Sequence, residues 1–141
     1  MFSSKALAEV WAPRALSLLR IMTGLLFFEH GLAKLFGFPP GGFPTQPPLM
    51  SVLGVAALME FIGSPFIILG LLTRPVAFLL SGEMAVAYFM FHAQKSFFPI
   101  LNFGEGAILY CFIFLYLSAA GGGAWSLDRL FSARFDPQAS A

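Results

Sequence analysis

With 141 residues, 58% of them hydrophobic and only 11% charged, the chain has too little polar surface to cover a water-soluble domain of its size. A formal charge of +1 without any run of Lys or Arg excludes a nucleic-acid-binding face, and a lone cysteine, Cys111, excludes an intramolecular disulfide, a dithiol redox centre and a multi-cysteine metal site. What is left is an integral membrane protein: at roughly 20 apolar residues per span, the chain has room for about four transmembrane helices in a single domain over 1–141, and none for a separate soluble domain.

The opening MFSSKALAEVWAPR puts Lys5, Glu9 and Arg14 ahead of the first apolar run and lacks a small-residue cleavage site, so it does not read as a removable signal. The first helix is predicted over about 14–36, with Pro13 suited to its first turn and Trp11 to the lipid–water boundary. Its centre, Leu19 to Gly37, carries Arg20, Glu29, His30 and Lys34, and ionisable groups at bilayer depth belong on a protein interior or a wet cavity. At about 100° per residue, Arg20, Gly24, Gly31 and Lys34 share one stripe with His30 at its margin, while Glu29 points away. Cations interleaved with glycines let a neighbouring backbone come close, and they suit an anion, a carboxylate or a polar cofactor.

From Phe38 to Pro48, prolines and glycines exclude helix and regular strand, and the only polar side chains are Thr45 and Gln46. This apolar loop is expected to be a stiff extracytoplasmic connector, with a cap over the bundle mouth as the alternative. A second helix is predicted over about 49–72, kinked at Pro65, with Glu60, Gly63, Ile67 and Gly70 on one side and the Glu inside the bundle. Thr73, Arg74 and Pro75 turn the chain into a third helix over about 76–94, carrying Glu83, Tyr88 and His92, with Lys95 at its outer end. Glu83 and His92, nine residues apart, are predicted to face opposite sides and to meet different neighbours. A fourth helix over about 100–120 has Glu105 near its start and Tyr110, Cys111 and Tyr116 along it, and Gly121 to Gly123 stop it. The tail, with Trp125, Asp128 and Arg129, reads as a short amphipathic segment before a polar, disordered end.

These elements predict an all-α bundle of four antiparallel transmembrane helices. Lys5, Arg14, Arg74, Arg129 and Arg134 fall on one side against Lys34 and Lys95 on the other, which places both termini in the cytoplasm. The polar groups then sort into two layers: Arg20 with Glu83 or Glu60 in the inner half, and Lys34, His30 or His92 with Glu105 in the outer half.

Four roles compete for these groups. They could simply neutralise one another and fix helix neighbours, because a polar contact in lipid is worth about 1 kcal/mol whereas an unpaired charge costs several. A quinone head group would need a cation or imidazole against one oxygen and a carboxylate to pass protons, and the outer layer supplies both. Axial ligation of haem b by His30 and His92 is disfavoured by the paired charges around them. A proton-linked carrier would need a homo-oligomer, since the chain shows no repeat and is short for alternating access.

From Arg20 to about Asp128 the chain resembles the DoxX family of small four-helix membrane proteins, related to the DoxD subunit of thiosulfate:quinone oxidoreductase. The resemblance is carried by Arg20, Gly24, Phe27, His30, Gly31 and Lys34, by Glu60 and Gly63, by Gly70, Thr73 and Arg74, and by Glu83, His92 and Glu105. It implies a bacterial inner-membrane protein associated with redox or detoxification functions, sometimes a partner of soluble oxidoreductases. It raises the prior for a quinone without defining a reaction. The expected ligand contacts are His30, Lys34, His92 and Glu105, with Arg20, Glu60 and Glu83 as structural or proton-relay support. The alternative is a non-catalytic scaffold or transport component whose charges only specify packing.

Overall fold

The computed structural model describes residues 4–43 and 45–135; Pro44 of the apolar loop and the polar end of the tail lie outside the described residues. Among the described residues the regular structure is entirely helical. Helix α1 spans Ser4–Phe36, α2 Val52–Leu69, α3 Thr73–His92, α4 Glu105–Ala120 and α5 Leu127–Phe135. The first three are long and apolar enough to cross a membrane, and α4 is a shorter apolar helix of 16 residues.

The boundaries differ from expectation where capping and local geometry decide. Helix α1 starts at Ser4 rather than near Arg14, because a π turn over Leu7–Trp11 carries the helix into Ala12 without a break. Its 33 residues reach about 50 Å at 1.5 Å per residue, well beyond a hydrocarbon core of about 30 Å. The surplus turns hold the exposed Lys5–Glu9 pair and Trp11, whose ring lies 5.6 Å from the Arg14 guanidinium carbon. Helix α2 begins at Val52 rather than Leu49, since Ser51 is the N-cap and its hydroxyl accepts from the Gly54 N–H at 3.1 Å. Its end at Gly70 is a left-handed cap with φ 67°, a conformation glycine adopts without steric penalty. The single fourth helix expected over 100–120 is broken: Pro99–Asn102 makes one helical turn, and Phe103 at φ 57° followed by Gly104 separates it from α4.

Helix α1 packs along α2, and α3 along α4. The two pairs meet around Phe27, Ile67, Leu80, Phe114 and Leu117, with the rings of Phe27 and Phe114 edge to face at 4.9 Å. After α4 the chain folds back onto the first half of α1. The Ala124 N–H donates to the Pro13 carbonyl at 3.0 Å, and the Trp125 N–H to Ser17 Oγ at 2.9 Å.

Helix α5 is tied to the turn between α2 and α3. The Asp128 N–H donates to the Gly70 carbonyl at 2.9 Å, and the Asp128 carboxylate accepts from the N–H groups of Leu72 and Thr73 at 2.7 and 2.8 Å. A carboxylate there serves two orphan donors and the positive end of the helix dipole. Asp128→Ala is expected to lower stability by about 1–2 kcal/mol, read as a lower midpoint of thermal unfolding in detergent. Asp128→Asn, which keeps one acceptor oxygen, should recover part of the loss.

Candidate functional site: a charged, aromatic cavity between the helices

A cavity of about 440 Å³ opens between the helices. Helix α1 contributes Phe27, His30 and Lys34, α2 contributes Glu60, α3 contributes Glu83, Phe91 and His92, and α4 contributes Tyr110. The apolar loop reaches it through Phe43, whose ring lies 5.7 Å from Lys34 Nζ.

Lys34 and Glu60 form its one close ion pair among the described residues, Nζ to Oε1 at 2.5 Å, with side chains 10% and 1% exposed. The pair exists because Gly31, one turn before Lys34, brings α1 hard against α2: a Cβ at Gly31 would lie 2.7 Å from the Phe61 backbone nitrogen. Glu60 Oε2 and both carboxylate oxygens of Glu83 are shielded from solvent without a hydrogen-bond partner. Both carboxyl groups line the same cavity.

The expected layering is corrected on three points. Arg20 pairs with neither Glu83 nor Glu60. It is fully buried, and its guanidinium donates to backbone carbonyls: Nε to Gly122 at 2.8 Å, Nη1 to Ile67 and Ile68 at 2.5 Å, and Nη2 to Trp125 at 2.5 Å. Carbonyls in the last turn of α2 and in the returning loop keep accepting capacity that the helix does not use in full, although Ile67 also takes the Gly70 N–H at 3.1 Å, and a planar fork with five N–H groups reaches several at once. Lys34 takes Glu60 rather than Glu105, which is exposed at the head of α4 and does not line the cavity, although its neighbour Gly106 does. Finally, Glu83 and His92 do not face opposite sides, for both line this cavity. The reason is a second π turn, Tyr88–His92, closed by the Ala93 N–H to the Tyr88 carbonyl at 2.9 Å. Its wider winding shifts the phase of everything after it.

His92 is also held from behind. Its Nδ1 is 3.0 Å from the Asn102 carbonyl oxygen. A carbonyl only accepts, so Nδ1 carries a proton, and in the neutral form of the ring Nε2 is the acceptor. Asn102 is itself fully buried and locked, its Nδ2 donating to the Ser96 carbonyl at 2.9 Å and its Oδ1 accepting from the Gly104 N–H at 2.7 Å. Sequence reasoning passed over Asn102; the Asn-Phe-Gly run, with its left-handed Phe103, was the available signal. His30 stands at the other wall, edge to face with Tyr110 at 5.8 Å. The site thus offers an imidazole acceptor, a lysine–carboxylate pair, a second carboxyl group and aromatic walls.

The DoxX family model matches residues 15–93, which run from Ala15 in α1 through the end of α3 at His92. An uncharacterized protein of Haemophilus influenzae is 44% identical over 130 residues, covering 87% of this chain and 95% of its own length. The inner membrane protein YqjF of Escherichia coli is 31% identical over 128 residues, covering 82% and 91%. No solved structure matches the chain. With three helices of spanning length and these relatives over most of its sequence, the chain belongs to the DoxX family and is a multi-pass protein of the bacterial inner membrane.

Proposed function

We propose that the chain is a redox-linked membrane subunit that binds a quinone-type ring in this cavity, with His30, Lys34 and His92 as contacts and Glu105 at the rim. The observation that carries the reading is His92, whose Nδ1 is held on the Asn102 carbonyl so that Nε2 is left for a ligand: in its neutral form Nε2 takes the hydroxyl hydrogen of a quinol, and in its protonated form it donates to a quinone carbonyl. The walls of Phe27, Phe91, Phe103 and Tyr110 suit a flat ring, and the volume is that of a small-ligand site. On this reading α4, with the Pro99–Asn102 turn before it, is a fourth span. The basic residues then put both termini in the cytoplasm, where a soluble or membrane oxidoreductase partner, or a second copy of the chain, would dock. Arg20 alone favours the second reading, a non-catalytic scaffold or transport component, because its guanidinium donates only to the fold's own carbonyls.

Titrating the detergent-purified protein with a short-chain benzoquinone or naphthoquinone, followed by quenching of Trp and Tyr fluorescence, tests the proposal. Saturable binding is expected. His92→Ala should weaken it about tenfold, the worth of a 1.4 kcal/mol contact, at unchanged helicity, while Glu105→Gln should change it little. A wild type that does not bind the ring removes the reading.

A further inference from the structure

We infer that Lys34, Glu60 and Glu83 form a proton-binding site that holds one exchangeable proton between the two carboxyl groups. The geometry sets up the demand. Three helices each place one ionisable group in the lining of this cavity, two of them in direct contact, and the sum is one ammonium against two carboxyls. Lys34 satisfies only Oε1 of Glu60, leaving Oε2 of a side chain that is 1% exposed, and both oxygens of Glu83, shielded and without a donor.

The remaining groups around the triad do not supply the missing positive charge. From α1, His30 faces the Phe27 and Tyr110 rings. From α3, His92 lies nine residues beyond Glu83, about 13 Å along the helix, with its Nδ1 on Asn102. From α4 the facing group is the phenol of Tyr110. Lys95 lines the cavity but is exposed, and Arg20 lies 14 residues before Lys34 with its guanidinium on four carbonyls. A second full negative charge beside Glu60, away from water, would stand against both desolvation and like-charge repulsion. One proton between Glu60 Oε2 and a Glu83 oxygen provides the absent donor, gives the shielded oxygens a hydrogen bond and brings the triad to neutrality. This proton-binding site does not depend on a quinone; passing the proton to a ring oxygen in the same cavity is the step that rests on the reading above.

Infrared spectra of the purified protein at neutral pH, compared in H2O and D2O, test it through the carbonyl stretch of a protonated carboxyl group. The wild type should show one such band, shifted by deuterium. Glu83→Gln and Glu60→Gln should each abolish it, because the single remaining carboxyl then pairs with Lys34 as a carboxylate. Lys34→Met should double its area, since neither carboxyl then has a counter-charge. If Glu60→Gln fails to fold, Glu83→Gln and Lys34→Met still decide. Absence of the band from the wild type overturns the proposal, as does its persistence in Glu83→Gln or an unchanged area in Lys34→Met. Saturable binding of tetraethylammonium by a wild type without the band also overturns it, by assigning the surplus charge to an organic cation. A wild type with the band that fails to bind quinone keeps the proton site and loses only the quinone.

Discussion

Arg20→Ala is expected to lower stability by about 3–5 kcal/mol, the range found when one partner of a buried charged contact is removed and the other is left without compensation. Arg20 is fully buried and ties three parts of the chain together: α1, the end of α2 at Ile67 and Ile68, and the returning loop at Gly122 and Trp125. Truncation removes the guanidinium from all four carbonyls at once, leaving Gly122 with only a 3.4 Å contact to Ser17 Oγ and Ile67 with only the Gly70 N–H. The loop is then held to α1 by the bonds of Ala124 and Trp125 to Pro13 and Ser17 and by Ser17 Oγ on the Gly122 carbonyl. Arg20→Lys should recover less than half of the loss, because a point charge with three donors cannot reproduce the fork that spans Gly122, Ile67 and Trp125. The midpoint of thermal unfolding of the detergent-solubilised protein reports the effect, and a truncated variant melting with the wild type would refute it.

The second large effect is expected at Gly31. A Cβ there meets the Phe61 nitrogen at 2.7 Å and the Phe61 Cα at 2.9 Å, and backbone atoms in the middle of a helix cannot swing aside as the end of a side chain can. The helices must part, and the Lys34–Glu60 pair sits at the same crossing. Gly31→Ala is expected to cost about 1–3 kcal/mol, the usual range for overpacking, and Gly31→Leu more. Gly82→Ala is the internal comparison. A Cβ at Gly82 meets nothing within 4 Å, so that change should be neutral or stabilise by up to about 1 kcal/mol through helix propensity. Equal melting of the Gly31→Ala and Gly82→Ala proteins would show that the close approach of α1 and α2 does not carry stability.

Both predictions start from the stripe of Arg20, Gly24, Gly31 and Lys34, and that stripe is legible in the sequence because a helix repeats its faces with a fixed period. All four residues are buried. Glu60 reads as internal for the same reason, and it is 1% exposed. What the pattern of side chains does not display is a partner that is not a side chain. The acceptors of Arg20 are carbonyls, which every residue carries alike, so a pairing rule that matches cations to acids steers it to Glu83 or Glu60. The phase of His92 is hidden for a related reason: the π turn over Tyr-Phe-Met-Phe-His contains neither Gly nor Pro, and one wide turn is enough to rotate the following side chains onto another wall. The break at Phe103 is equally silent, since a bulky residue at φ 57° is held there by its surroundings rather than by its own preference. Extrapolating one helix through that break is what carried Glu105 into the polar layer, whereas the described chain exposes it.

The Arg20 clamp also sets a schedule for biogenesis. Arg20 is made early, but Gly122 and Trp125 follow it by 102 and 105 residues, so at synthesis rates of about 5–20 residues per second its guanidinium waits for roughly 5–20 seconds before its last acceptors exist. For that interval α1 carries a charge whose hydrogen bonds are incomplete, a condition under which the nascent segment is held near translocon water or lipid head groups rather than released into the hydrocarbon. A ribosome that stops after α4 but before Gly122 yields a product with every long apolar helix present and this clamp open. In such a product the Arg20 guanidinium lacks two of its four carbonyl acceptors.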